Sequence, residues 1–519
     1  MMKSLRPLWL CLGGGVLMSV AATPLHLWGL AWVAVVPLWV LVRQATSRRQ
    51  RLLGAIAWGF GYHGLTLSWI LGLHPLTWMG VPWLGSIAIA LFCWLFITAW
   101  GTAANLVWAV GLAASDRLGT GTPTPRLSQR LITVLIGTAL WIGLEWLLNL
   151  TPLSWTALAF TQSPGNPAIL HLGQWSGPSL VSALIVAVNG LLAEAWLLSW
   201  QRQVSDRPII RALIAIALVL GSSGHAIGWG MMQQPLGDRP DQALTIGIVQ
   251  SNIPTREKLS ADGVRRAIRN YVGGYEILAA QGVDAVLTPE GAFPFLWDAA
   301  RNPFRAAVQA QQVPAWLGSF VADDGNITQS LLSLDRTGAV VGRYNKIKLV
   351  PLGEYIPFQE VLGGLIGRLS PIKSSMVPGE MGQILATPFG QAIASICYES
   401  VFPDLFRQQA AQGGEFILTA SNLDPYSEVL MQQHQAQDLL RAIETDRWAA
   451  RATNTGYSGF IDPHGRIIAR SQPNVEQLLK ATLYRRQTQT LYVRWGDWLT
   501  PLLAGWGLLA LVVRRSKML

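Results

Sequence analysis

Three side chains in the second half of the sequence have types suited to thioester chemistry: Glu290, Lys346 and Cys397. Cys397 follows the short apolar run Ala392–Ile396 and precedes a helix-forming segment. A turn from a strand into a helix places a side chain near backbone N–H groups and the positive end of a helix dipole, which favour a thiolate. A buried structural cysteine is the alternative that position alone leaves open.

Glu290 and Lys346 occupy comparable positions beside predicted strands. Glu290 comes shortly after the apolar run Ala285–Leu287, and a carboxylate at the carboxyl edge of a strand lies where sites of α/β domains form. Lys346 closes a hairpin-like stretch at 329–346. Taken singly, a glutamate or a lysine at such a position is commonly a solvated surface side chain. The combination of Glu290, Lys346 and Cys397 is therefore stronger evidence for a site than either residue alone.

The elements that must position these residues alternate between short β-rich runs and amphipathic helical runs, which predicts an α/β core. Before them, the linker at 233–240 interrupts the apolar pattern. We predict strands at Thr245–Val249, Ala285–Leu287, Ala315–Val321, Ala392–Ile396 and Phe416–Ala420, a closing strand pair around 451–469, and helices at 260–281, 298–312, 402–412 and 430–450.

The rest of the chain is typical of a multi-span α-helical membrane protein. Of the 519 residues, 51% are hydrophobic and only 13% are charged, so much of the surface cannot face water. The 24 tryptophans agree, because indole rings favour membrane interfaces. Apolar stretches able to cross ~30 Å of hydrocarbon are predicted at 8–22, 25–42, 52–73, 80–114, 131–150, 177–200, 209–229 and 496–513.

The first stretch could be a signal peptide, but a second apolar run follows at once without a clean cleavage site, so we expect it to be retained. The formal charge of +10 is spread over short clusters between apolar runs, which argues against a nucleic-acid partner. These clusters fall in alternate loops, which predicts that the segment between the seventh and eighth spans is extracytoplasmic. We therefore predict three parts, 1–235 with seven spans, 240–485 as an extracytoplasmic α/β domain, and 490–519 with the eighth span and a cytoplasmic tail.

The motifs around the three reactive residues resemble a known family. Glu290, Lys346 and Cys397 in this order resemble the nitrilase superfamily. More closely, the run from Tyr344 to Pro357 and the run Ile396–Glu399 look like the apolipoprotein N-acyltransferase family, the last enzymes of bacterial lipoprotein maturation. The resemblance covers essentially the whole chain. It implies a nitrilase-like α-β-β-α sandwich on the periplasmic side of the bacterial cytoplasmic (inner) membrane.

The resemblance also implies roles for individual residues. Cys397 would be the nucleophile that takes an acyl chain as a thioester, and Glu290 would be the general base. Lys346 would stabilise the oxyanion together with the backbone N–H after Cys397. Three further residues match supporting positions of the family: Glu354, Tyr398 and Glu399.

The implied substrates are a phospholipid acyl donor, commonly phosphatidylethanolamine, and the α-amine of the S-diacylglyceryl-cysteine at the N-terminus of a lipoprotein. Membrane lipids are thus partners, no cofactor is implied, and we expect a monomer. The apolar stretch at 358–369 could be an arm that reaches lipid, or it could be core. Three residues depart from the family pattern, so the way in which the phospholipid donor is bound is not predicted: Thr288, Leu259 and Leu423.

Other functions remain possible from the residues alone. A membrane-anchored amidohydrolase would use the same three side chains with water as the acceptor. A transporter or scaffold with an inactive nitrilase domain would be favoured if one of the three were missing, and all are present. His434 and His464 lack the spacing of metal ligands, so we do not expect a zinc site.

Overall fold

The computed structural model describes residues 2–117, 127–201, 204–323, 325–355, 376–424 and 426–516. The chain divides into two compact units. The first, the helical unit, consists of Met1–Ser68, Leu91–Gln234 and Trp495–Leu519. The second, the α/β unit, consists of Trp69–Ala90 and Pro235–Arg494. The predicted boundaries at 235, 240, 485 and 490 stay predictions.

Within the described residues, four helices are long and apolar enough to cross a membrane, judged by length and composition. Shorter apolar helical segments occupy three other predicted stretches, at Pro7–Ala21, Trp28–Gln44 and Leu499–Arg514. The predicted class of multi-span α-helical membrane protein is confirmed, whereas the count of eight spans stays a prediction. The α-helices through the seventh predicted stretch are Met2–Ala21, Ala31–Ala34, Val36–Gln44, Arg48–Gly59, Trp83–Arg117, Leu127–Leu150, Pro167–Leu170, Gly173–Ser176, Pro178–Gln201 and Arg207–Met232.

The stretch predicted at 25–42 is not one continuous helix. A new helix begins at Val36, with Pro37 in its first turn, where a missing N–H does no harm. The side chain of Asn189 accepts hydrogen bonds from the backbone N–H groups of Val35 (2.8 Å) and Val36 (3.2 Å). The break is therefore stabilised by a residue far away in the sequence.

The stretch predicted at 52–73 is also not a single helix. The α-helix Arg48–Gly59 passes into a π-helical turn at Phe60–Gly64, followed by a 3₁₀ segment at Ser68–Leu73. A Cβ on Gly61 would lie 2.7 Å from the carbonyl oxygen of Leu12, so this turn packs against a neighbouring helix as only glycine can. Close packing thus explains why the regular helix ends early.

The described strands of the α/β unit form two six-stranded sheets. The strands are β1 Ala243–Gln250, β2 Ala285–Leu287, β3 Ala315–Asp323, β4 Asn326–Leu334, β5 Val340–Asn345, β6 Leu385–Thr387, β7 Gly390–Ile396, β8 Phe416–Ser421, β9 Ala449–Thr453, β10 Gly459–Ile461, β11 Ile467–Arg470 and β12 Gln477–Tyr484. One sheet has the order β12-β1-β2-β3-β4-β5 and the other β11-β10-β9-β8-β7-β6. The central pairs β1–β2, β2–β3, β7–β8 and β8–β9 are parallel, and the outer pairs are antiparallel.

The two sheets pack against each other, since β1 and β2 contact β9 while β4 contacts β6 and β7. Helices Ala261–Ala280 and Pro403–Ala411 cover β1 and β7, respectively. The predicted α-β-β-α sandwich is therefore confirmed. The other helices among its described residues are Thr255–Lys258, Pro303–Gln311, Glu428–Thr445 and Leu491–Trp495, and Leu499–Ser516 belongs to the helical unit.

The last part of the α/β unit differs from the prediction in two ways, and the helix predicted at 298–312 spans Pro303–Gln311. The helix predicted at 430–450 spans Glu428–Thr445, and the chain then turns at Asp446, whose φ is +54°, into β9. The strand pair expected around 451–469 is followed by β12, which pairs antiparallel with β1 along its whole length. Pairing between the two ends of the domain is invisible to a local pattern.

A buried carboxylate in the helical unit joins three of its helices. Glu194 is fully buried and accepts a hydrogen bond from the indole N–H of Trp39 (3.0 Å). Its carboxylate also forms ion pairs with Arg130 (2.7 Å) and Arg43 (3.1 Å). A buried charge is tolerated only when it is paired and hydrogen-bonded, so Glu194 fixes how these helices meet.

We predict that Glu194→Gln lowers the free energy of unfolding by about 3 kcal/mol, because two arginines lose their buried counter-charge. In a thermal scan of the detergent-purified protein, the melting temperature should fall by about 6–12 °C. Ser199→Ala, at an exposed position of the same helix, is the matched control and should leave it unchanged. A melting temperature of Glu194→Gln equal to that of the control would contradict this role.

Candidate active site

Cys397 stands on a sharp turn between β7 and a short 3₁₀ helix, Cys397–Val401. Its φ is +53°, in the left-handed region that residues other than glycine rarely adopt, and its side chain is almost wholly buried. Residues held in such a conformation occur where the surrounding structure over-determines them, often at functional sites. The turn places the thiol at the carboxyl end of β7, as predicted.

Lys346 and Glu290 meet in the interior of the α/β unit. The Lys346 Nζ atom lies 2.8 Å from Glu290 Oε1 and 2.5 Å from Glu354 Oε1. Burial opposes the positive charge, but the two carboxylates outweigh it and hold the pKa of Lys346 well above its ordinary value. Lys346 is therefore a fixed cation between two carboxylates, and burial in turn raises the pKa of Glu354.

Asn422 connects the carboxylate to the cysteine. The backbone N–H of Asn422 donates to Glu290 Oε2 at 2.9 Å, and its carbonyl oxygen lies 3.8 Å from the Cys397 sulfur. Burial, followed by the charge of Glu290, raises the pKa of the Cys397 thiol, while Lys346 opposes the shift. The resting group is thus a thiol, which needs a base to become a nucleophile. The structure brings together Glu290, Lys346 and Cys397.

Glu399 links two segments of the site through the hydrogen bonds that it accepts. Its Oε1 accepts the backbone N–H groups of Ile347 (2.5 Å) and Lys348 (3.2 Å). Its Oε2 accepts the N–H of Ile396 (2.7 Å) and the hydroxyl of Tyr344 (3.1 Å). Burial raises the pKa of Glu399 to about 7 even against these donors. The carboxylate joins the segment that carries Lys346 to the turn that carries Cys397.

The other supporting residues take different positions. Glu354 also accepts the backbone N–H of Val350 at 2.9 Å, so it closes its own loop while it pairs with Lys346. Tyr398 is half-buried, and its ring lies edge-on to Phe402 with the centroids 5.2 Å apart. The Tyr398 side chain therefore packs beside the cysteine turn.

Sequence reasoning missed two buried residues beside the site. Lys258 donates to the carbonyl oxygen of Gly291 at 3.0 Å, and burial lowers its pKa to about 8. His434 lies 2.8 Å from the carbonyl oxygen of Cys397. These two residues are far apart in the chain, so no local pattern of the sequence indicates the contact. No group of three potential ligands that could hold a metal occurs among the described residues.

The positions that depart from the family pattern lie in different environments. Thr288 is fully buried, and its hydroxyl accepts the N–H of Gly318 at 3.1 Å, so it serves the strand pairing of β2 and β3. Leu423 is buried, whereas Leu259 is 54% exposed and leaves an apolar side chain on the surface. The stretch at 358–369 lies outside the described residues.

The fold and site define a class of protein. Residues 246–492 match the carbon-nitrogen hydrolase family model, so the α/β unit is a nitrilase-like domain with a buried cysteine at its strand edge. Residues 14–191 match a second model, the apolipoprotein N-acyltransferase N-terminal domain. The two models thus match successive parts of one chain.

Relatives named apolipoprotein N-acyltransferase align along almost the entire chain. The protein from Nostoc sp. is 49% identical over 94% of this chain and 95% of its own. That from Synechocystis sp. is 45% identical over 94% and 96%, and that from Gloeobacter violaceus is 39% identical over 99% and 95%. The chain belongs to the apolipoprotein N-acyltransferase family, which confirms the resemblance read from the motifs.

We predict that Gly318→Ala slows the reaction of the site by about 100-fold, because misplacing a reacting group by about 1 Å has that effect. A Cβ at this position would overlap the carbonyl oxygen of Pro289 and lie 2.9 Å from the Cα atom of Glu290. The turnover rate should therefore be affected more strongly than the free energy of unfolding. Gly273→Ala, which has open space around its Cβ, is the control and should retain full activity. Equal activity of the two variants would refute the effect.

Proposed function

We propose that this protein transfers a fatty acyl chain from a phospholipid, through a thioester on Cys397, to the α-amine of the N-terminal S-diacylglyceryl-cysteine of lipoproteins. The observation that carries the proposal is the buried Lys346 ammonium, paired with both Glu290 and Glu354 beside a cysteine turn. Family membership along the whole chain supports the choice of lipid and lipoprotein as substrates.

In the first half-reaction, Glu290 accepts the proton of the Cys397 thiol and the sulfur attacks the ester carbonyl of the phospholipid. A C–S bond forms, and negative charge develops on the carbonyl oxygen. Lys346 and the backbone N–H of Tyr398 stabilise this oxyanion. When it collapses, the C–O ester bond breaks, and the lysophospholipid alkoxide takes the proton from Glu290.

In the second half-reaction, the free α-amine of the lipoprotein attacks the thioester. A C–N bond forms, the C–S bond breaks, and Cys397 leaves as a thiolate. Glu290 takes the proton that the amine loses and returns it to the sulfur, so the enzyme ends as it began. The ion pairs of Lys346 keep its ammonium in place through both oxyanions.

The setting that suits this reaction is the bacterial inner membrane, with the α/β unit on the periplasmic side. The apolar helices support a membrane location, and the basic residues of alternate loops support the orientation. We further propose that one chain suffices, because all three reacting side chains belong to one compact unit.

The proposal predicts an acyl adduct on one cysteine. Purified protein incubated with isotope-labelled phosphatidylethanolamine and a diacylated lipopeptide should carry one labelled acyl group on Cys397 by mass spectrometry and should yield triacylated peptide. Cys397→Ala should abolish both, and Glu290→Gln should slow adduct formation by about 10²–10⁴-fold because the thiol loses its base. Cys93→Ala is the control and should react normally.

Two results would contradict the acyltransferase proposal. One is an adduct that appears on Cys397 but releases only free fatty acid in the presence of peptide, which would indicate the amidohydrolase alternative. The other is triacylated peptide formed by Cys397→Ala. Either is read directly from the same spectra.

The orientation predicts which positions react from outside. In a background of Cys93→Ala and Cys397→Ala, Val340→Cys at an exposed position of β5 should react with a membrane-impermeant maleimide in intact spheroplasts. Arg49→Cys, at an exposed position in the first turn of helix Arg48–Gly59 and on the side assigned to the cytoplasm, should react only after permeabilisation. The reverse pattern would place the α/β unit inside.

A further inference from the structure

His434 lies behind the cysteine turn, on the buried helix Glu428–Thr445. Its side chain is almost inaccessible to solvent, and its Nε2 atom lies 2.8 Å from the carbonyl oxygen of Cys397. The mechanism above does not use this ring. It nevertheless contacts the backbone of the residue that forms the covalent intermediate.

The neighbours of His434 determine which ring nitrogen carries the proton. The guanidinium of Arg451 lies 2.7 Å from Nδ1, and a guanidinium can only donate, so Nδ1 is an acceptor. The proton is therefore on Nε2, which donates to Cys397. Burial and the charge of Arg451 both keep the pKa of His434 well below its ordinary value, so the ring stays neutral.

Arg451 is itself held on two sides. It forms a fully buried ion pair with Asp438, one turn after His434 on the same helix. Its Nε atom donates to the carbonyl oxygen of Tyr457 at 3.0 Å. The ring of His434 thus has one tautomer and one orientation, both imposed by groups that do not touch the site.

The consequence lies in the peptide unit between Cys397 and Tyr398. In a planar trans peptide, the carbonyl and the following N–H point in opposite directions. A hydrogen bond that holds the Cys397 carbonyl towards His434 therefore points the N–H of Tyr398 away from His434. Rotation of this peptide would change ψ of Cys397 and φ of Tyr398, and the hydrogen bond from His434 to the Cys397 carbonyl opposes that rotation.

We propose that His434 is a positioning residue that aims the Tyr398 N–H at the oxyanion by holding the carbonyl of Cys397. The proposal rests on the proposed function, in which that N–H stabilises the oxyanion. His434 does not touch the substrate and exchanges no proton with it. Its effect should be confined to steps that develop negative charge on a carbonyl oxygen.

Two reactions of the same sulfur separate this role from a merely structural one. A p-nitrophenyl ester of a medium-chain fatty acid acylates Cys397 through an oxyanion: a C–S bond forms, the C–O bond breaks, and nitrophenolate leaves. Iodoacetamide alkylates the same thiolate by displacing iodide, and no oxyanion forms. The decisive quantity is the ratio of the acylation rate to the alkylation rate.

His434→Asn and His434→Gln form a matched pair. Asparagine reaches the position of Nδ1 and can accept from Arg451, but it falls short of the Cys397 carbonyl. Glutamine reaches further and can donate to that carbonyl. In the full-length protein in detergent, His434→Asn should lower the ratio by about 100-fold, the effect of losing one oxyanion donor, with KM for the ester unchanged. His434→Gln should recover at least about 10-fold of this loss.

A control variant and a second route keep the test decisive. Gln432→Asn, at a half-buried position of the same helix where the side chain bonds to Glu428 and Tyr457, should leave the ratio unchanged. If His434→Asn does not fold, Asp438→Asn loosens Arg451 instead and should lower the ratio by about 10-fold through misplacement of the ring. An unchanged ratio in the folded variant would overturn the proposal.

A parallel fall of acylation and alkylation would also overturn it, because His434 would then hold the thiol and not the oxyanion donor. The synthetic ester separates this inference from the proposed substrates. If wild-type protein reacts with the ester but not with phospholipid, the proposed function fails while the role of His434 is still measured. If the ratio is unchanged while phospholipid is used normally, only the role of His434 fails.

Discussion

A buried ammonium must have carboxylate partners, and the organisation of the α/β unit around Lys346 follows from that requirement. Removing a charge from water costs several kcal/mol unless an opposite charge and hydrogen bonds replace the solvent. Here Glu290 comes from the end of β2, Glu354 from the loop after β5, and Lys346 from between them. The ion pair with Glu290 therefore joins segments that are far apart in the chain, and the one with Glu354 closes a local loop. The same contacts hold in place the proposed base and the proposed oxyanion-stabilising cation.

The cysteine turn is supported from two sides by groups that never meet the substrate. Glu399 accepts backbone N–H groups from Ile396 and from the segment after Lys346. His434 holds the carbonyl of Cys397 from the opposite helix. A residue with a positive φ needs such support, because the local chain alone would not choose that conformation. The support that stabilises the turn also orients the groups that an acyl transfer would use.

The helical unit obeys the same constraint in apolar surroundings. The charge of Glu194 is neutralised by Arg43 and Arg130. At the break before Val36, the free backbone N–H donates to the side chain of Asn189. In an apolar medium no water can satisfy such groups, so the protein must supply the partners itself. Polar residues within apolar helices are thus the points where these helices are joined.

The sequence by itself determined the α/β class and the presence of apolar helices, and its motifs singled out the proposed reactive set. Motif spacing and hydrophobic periodicity are local properties, so Glu290, Lys346, Cys397 and the bounds of β2 could be read directly. Orientation in the membrane and the bounds of the three predicted parts stay predictions. Only the tertiary structure decided the pairing of β12 with β1, the interruptions at 25–42 and 52–73, and the use of His434 and Asn422 beside Cys397. These features depend on partners distant in the chain, and a hydrogen bond between distant residues leaves no local pattern for a sequence to display.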